Sequence, residues 1–201
     1  MLSGATTAEI LAFWFTTDSG DGASYRVARK RWFRKSETFD YQVRQRFMAD
    51  YRAARTQAIA RPDLLALDSA EASLALTLLF DQLPRNMFRG TPAAFASDPQ
   101  ARAVAKEAIA RGFDQALPPV RRMFFYFPFE HSESLVDQRQ AAALFHALVQ
   151  QSPELEDTYD YALRHQQIIE RFGRFPHRNP ILGRRSTPAE VSFLKQPGSG
   201  F

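Results

Sequence analysis

Apolar residues that return every three or four positions, each run opened by a capping residue and closed by glycine or proline, constrain this chain more than any other feature. Phe39, Val43, Phe47 and Tyr51 recur at four-residue spacing behind Ser36, and Arg61-Pro62 ends the run. That is the period of one helix face, whereas a half-buried strand needs alternation every second residue. Thr6-x-x-Glu9 is a capping box for a helix through Phe15, with Ile10, Phe13 and Trp14 on one side. Residues 16–23 read as a polar loop, and residues 25–32 as a short helix delivering Trp32 and Phe33 to the core. Asp68-x-x-Glu71 caps a helix whose Leu74, Leu76, Leu78 and Leu79 are apolar almost all round, as a central core helix should be.

The pattern continues to the other end. Asp98-Pro99 starts a helix that Gly112 stops, and Pro118-Pro119 starts a short, very aromatic one. Residues 133–151 and 158–172 follow, the second with Tyr161, His165, Ile168 and Phe172 on one face. Thr187-Pro188-Ala189-Glu190 combines an N-cap, a first-turn proline and a capping-box glutamate to open a last helix. No segment alternates with period two. The expected fold class is all-α: antiparallel helix hairpins stacked through short connections, similar to a tetratricopeptide-like helical domain though without a fixed repeat period. At 201 residues, residues 1–201 are expected to form a single domain.

Composition removes several function classes. There is no cysteine, which excludes disulfides, thiolate metal sites and cysteine nucleophiles. Positive and negative charges are interspersed and the net charge is only +4, against the basic stripe expected of a nucleic-acid binder. The basic residues are 22 Arg against 4 Lys, a bias that a GC-rich genome produces without functional cause. The first fifteen residues carry Glu9 and no basic stretch, unlike a secretion signal. The longest aromatic run, Met123 to Phe129, is far short of the roughly 20 apolar residues that a membrane span requires. The chain reads as a cytoplasmic protein with no membrane association.

Three polar motifs stand at helix ends. Residues 81–90 read D-Q-L-P-R-N-M-F-R-G, with Pro84 expected to break the preceding helix after Leu83. Here Asp81, Arg85, Asn86 and Arg89 suit either a buried hydrogen-bonded corner, with Asp81 pairing one arginine, or a ligand site. Glu130, His131 and Glu133 put an imidazole beside two carboxylates. A carboxylate that orients a histidine makes a candidate general base, and a cap with first-turn charge is the structural alternative. Residues 171–179 read R-F-G-R-F-P-H-R-N, a helix end running into a bend. Arg171, Arg174, His177, Arg178 and Asn179 there suit an anion, since guanidinium is a planar fork matched to carboxylate or phosphate. His165 lies on the same helix, about 9 Å back from the bend. His146 reads as structural. Metal-ligand spacings, phosphate loops, nucleophile elbows and dinucleotide fingerprints are missing, so the residues name no metal and no cofactor.

D-Q-L-P-R-N-M-F-R-G-T (81–91), A-F-A-S-D (94–98), F-P-F-E-H-S-E (127–133) and H-R-N-P-I-L-G-R-R-S-T-P-A-E (177–190) resemble, in order and over nearly the whole chain, the bacterial family called domain of unknown function 924. The resemblance implies an all-α, tetratricopeptide-like fold and no particular activity. The leading functional expectation is binding, with turnover left open, of a small anionic metabolite in a polar Arg/His/Glu cleft. In it Glu130, His131 and Glu133 are the catalytic candidates, and the ligand contacts come from Asp81, Arg85, Asn86, Arg89, His165, Arg171, Arg174, His177, Arg178 and Asn179. The alternative is an adaptor that grips a protein partner.

Overall fold

A computed structural model of the chain describes residues 2, 4–15, 30–60 and 67–200. Among these residues the secondary structure is helical throughout, with no strand. The α-helices are α1 (Gly4–Trp14), α2 (Glu37–Ala60), α3 (Ala70–Phe80), α4 (Gln82–Met87), α5 (Asp98–Ala110), α6 (Pro119–Glu130), α7 (Leu135–Gln151), α8 (Glu156–Phe172) and α9 (Pro188–Leu194). Residues 30–33 form one further helical turn, and the polar loop and most of the short helix expected before it lie outside the described residues.

The chain groups into two compact units, residues 1–89 with 93–128 and residues 90–92 with 129–201, so that the division falls inside α6 after Pro128. In the first unit α3 is the central helix: Ala70 and every residue from Ser73 to Phe80 are buried, and it packs against α1 and α5. Ser69 starts it, accepting the Ala72 N–H at 3.1 Å, so the cap lies one residue beyond the expected Asp68. An aromatic cluster fills the space beside α1. Trp14 and Trp32 stack at 6.3 Å, Phe124 stands edge-on to both, and Trp32 Nε1 donates to the Trp14 carbonyl at 2.8 Å.

Pro84 does not break its helix where the sequence pattern suggests. The chain kinks at Asp81 and α4 then runs through Pro84 to Met87. The reason is position: Pro84 stands in the first turn of α4, where a backbone N–H would have no helical acceptor to lose. Thr6 likewise falls inside α1, which starts at Gly4, and the α5 cap is Ser97 rather than Asp98.

In the second unit α7 and α8 pack against each other across a short 3₁₀ connection, Pro153–Leu155. Gly173 ends α8 at φ +68° and returns its N–H to Ile169 O at 2.8 Å; its left-handed backbone favours glycine. The chain then passes through a 3₁₀ turn, Pro176–Arg178, to the capping box that opens α9, where Thr187 Oγ accepts the Glu190 N–H and Glu190 accepts the Thr187 N–H. Ile168, Ile169 and Phe175 form a small core under this bend, with Leu135, Phe172 and Phe193 against it. No helix among the described residues is long and apolar enough to cross a membrane.

Candidate functional site

The motif at residues 81–89 forms two closed networks within the first unit. Arg85 Nη1 lies 3.3 Å from Asp81 Oδ1, and the guanidinium grips Asp98 with two bonds of 3.0 and 3.2 Å. Asn86 and Arg89 share Asp40 on α2, with Arg89 donating at 2.6 and 2.8 Å and Asn86 at 2.8 Å. Partial burial opposes the charge on Asp40, but the bonds from Arg89 and Asn86 outweigh it and hold the carboxyl below its ordinary range. Asp40, which completes one network, carries no local signal, and Asp98, which completes the other, is legible only as a helix start. They come from an exposed-looking helix start and from a different helix.

The other two motifs meet each other in the second unit. Glu133 accepts the Phe175 N–H at 2.8 Å and a two-bonded grip from Arg184 at 2.7 and 2.9 Å. Arg184 also donates to the Phe175 carbonyl at 3.1 Å, so one ion pair clamps both polar groups of a bend residue. Partial burial works against ionisation of Glu133, but Arg184 and the Phe175 N–H more than offset it and keep it below the usual carboxylate range. Gln138 on α7 is fully buried and donates to the Glu130 and Ser132 carbonyls, tying the end of α6 to α7.

Glu130 points at His165. Its Oε1 lies 3.2 Å from His165 Nδ1, which also donates to the Tyr161 carbonyl at 2.8 Å. With two oxygen acceptors facing Nδ1, the neutral ring carries its proton there. Burial, despite the Tyr161 bond and helped by His131, Arg178 and His177 nearby, drives His165 down to about 3. His177 is lowered to about 4, again mainly by burial and then by Arg178. Both imidazoles are therefore neutral at neutral pH. Phe175 sits among them: its ring centroid is 5.4 Å from that of His165, 5.5 Å from that of His177, and 4.4 Å from the Arg178 guanidinium. Asn179, fully buried, donates to Ser186 at 3.0 Å. His146 faces Tyr159 at 5.2 Å, away from these motifs in kind as well as in sequence.

The three bend arginines take different surroundings. Arg178 is buried against Phe175. Arg174 donates Nε and Nη2 to the two Glu190 oxygens at 2.7 and 2.9 Å and Nη2 to the Arg185 carbonyl at 2.9 Å. The Arg174 bond leads in depressing Glu190, ahead of the opposing effect of burial, and holds it at about 2. Arg171 makes no ion pair among the described residues; its guanidinium lies 4.8 Å from the Phe172 ring and 5.9 Å from that of Phe193. Arg171 and Arg174 line a solvent-open cavity of about 490 Å³, together with Phe172, Thr187, Ala189 and Glu190. Glu190 and Arg184 are the charged partners of these motifs that the sequence pattern does not point to. The capping box at Thr187 did mark Glu190, but only as a helix start.

No cluster of three or more metal-ligating side chains occurs among the described residues. No curated protein matches the sequence. A solved structure of a protein of unknown function from Agrobacterium tumefaciens is similar to this chain, with 41% identity and a TM-score of 0.80 over 96% of this chain and 99% of that one. The model of a family described as bacterial protein of unknown function (DUF924) matches residues 10–198, and the chain belongs to that family.

Proposed function

We propose that the second unit binds a small anionic metabolite at the cavity lined by Arg171 and Arg174. The observation that supports this is a guanidinium, Arg171, that faces an open cavity with no carboxylate of the described residues to neutralise it. Flanking phenylalanines hold it in place, so little side-chain freedom is lost when an anion arrives. Arg171 stands in the last turn of α8, while Glu133, Arg184, Phe175 and Arg178 fix the bend that follows it and Asn179 anchors the chain beyond. The Asp81–Arg89 motif closes on Asp98 and Asp40 and has a structural part in this reading.

Binding fits the cavity better than turnover does. The one carboxylate that lines it, Glu190, is locked as an anion by Arg174 and is a poor proton acceptor. Among the catalytic candidates, both oxygens of Glu133 are engaged, and Glu130 is buried beside His165. An adaptor has less support, because the large exposed apolar side chains of α2, among the described residues, are isolated from one another. Tyr41 and Ile59 on α2, for example, lie 18 residues and so about 27 Å apart.

Thermal-shift titration at constant ionic strength tests the proposal. Phosphate, sulfate or carboxylates should raise the melting temperature above the chloride control through ligand linkage. Arg171→Met should remove the rise and leave the helical spectrum unchanged. Equal responses to chloride and to every other anion would sink the proposal.

A further inference from the structure

Resting on that reading, we infer that the cavity is built for a small monocarboxylic acid with an apolar body, and that it discriminates against phosphates. The first argument is charge. Two guanidiniums and one ionised carboxylate line the cavity, leaving a single net positive charge. A phosphate dianion would bring its second charge up to Glu190, which is locked as an anion; a monoanion matches Arg171 and stops there.

The second argument is the donor set. Arg171 lines the cavity, and its guanidinium makes no ion pair among the described residues. Arg174 uses Nε and Nη2 on Glu190 and Arg185, and Nη1 takes part in none of these bonds. Thr187 Oγ accepts the Glu190 N–H at 3.3 Å and so keeps its own hydrogen to donate. The Arg171 fork, the remaining Arg174 Nη1 and one hydroxyl suit the flat, two-oxygen edge of a carboxylate.

The third argument is the rest of the wall. Phe172 and the Ala189 methyl give the lining an apolar portion next to the donors, with Phe193 behind Phe172 at 5.1 Å between ring centroids. A ligand with a carboxylate and an aryl or alkyl body satisfies both parts, whereas acetate or inorganic phosphate leaves the apolar part in contact with water.

The test is isothermal titration of the full chain with benzoate, acetate, phosphate and pyrophosphate, each at matched ionic strength. Benzoate should bind more tightly than acetate, and both more tightly than the two phosphates. Arg171→Met should weaken benzoate by about tenfold or more, the usual loss for a charge-assisted bond. Phe172→Leu should weaken benzoate while leaving acetate nearly unchanged. If phosphate or pyrophosphate binds at least as tightly as benzoate and Arg171→Met abolishes it, the ligand class is wrong and the anion site stands. If no anion binds, or all bind Arg171→Met as they bind the parent chain, the anion site falls too.

Discussion

Acidification should weaken this fold well before its carboxylates titrate, and two buried imidazoles set the size of the effect. His165 and His177 are lowered from 6.5 to about 3 and about 4. A group whose folded pKa lies below its unfolded value contributes stability that is complete above the unfolded pKa and disappears as pH falls toward the folded one. The window here therefore opens at pH 6.5 and extends down to about 4 for His177 and about 3 for His165. At pH 5 each unfolded imidazole is protonated and each folded one is not, which costs about 2 kcal/mol per histidine and about 4 kcal/mol for the pair. His177 contributes to the depression of His165, so the two titrate as one coupled system rather than independently. Glu133, Glu190 and Asp40 are all held low, so their stabilising contributions are lost only below about pH 4.5, under the pH 5 at which the histidine loss is read.

Urea unfolding of the full chain at pH 8, 6.5 and 5, at constant ionic strength, measures the loss directly. The parent chain should lose about 4 kcal/mol between pH 8 and 5, and the double variant His165→Gln, His177→Gln should lose far less over the same range. A flat profile in the parent chain would refute the reasoning. It would mean that Glu130, 3.2 Å from His165 Nδ1, holds a charged imidazolium in the folded protein and that burial is not the dominant effect.

Two further substitutions test how the site is held in place. Glu133→Gln removes the charge that Arg184 grips and should cost about 1–2 kcal/mol, discounted for the partial exposure of both side chains; thermal denaturation reads it. Ser69→Ala deletes the hydroxyl that caps α3 and should cost about 1 kcal/mol in urea unfolding, whereas Asp68→Ala, one residue earlier, should cost much less.

Local order was legible in the sequence for helix faces and for the last capping box, whereas the helix starts read at Thr6, Asp68 and Asp98 are displaced from the observed ones. Phe39, Val43, Phe47 and Tyr51 are buried along α2 as their spacing requires, and Thr187 and Glu190 close the capping box that the four residues from Thr187 announce. Pro84 was misread because the same residue stops a helix interior and suits a helix start, and only the kink at Asp81 decides which applies. The partners of the charged motifs were not legible. Arg184 reaches Glu133 from 51 positions away, and Asp40 reaches Arg89 from 49, through packing that no spacing rule records. The bend arginines illustrate the cost of that gap: residue type alone gives three equivalent cations, whereas the fold buries Arg178, pairs Arg174 and leaves Arg171 toward the cavity.

Glu190 has two tasks, closing the first turn of α9 and neutralising Arg174. An exchange of Arg174 alone would leave the Glu190 carboxylate unpaired in the cavity wall, and an exchange of Glu190 alone would unpair Arg174 and remove one of the two capping-box bonds. Positions 174 and 190 are thus bound to change together or not at all. Arg171, which makes no ion pair among the described residues, carries no such coupling to a second position. Across relatives that share this backbone, position 171 should vary independently of position 190, while the 174–190 pair stays frozen or is exchanged as a unit for two uncharged residues.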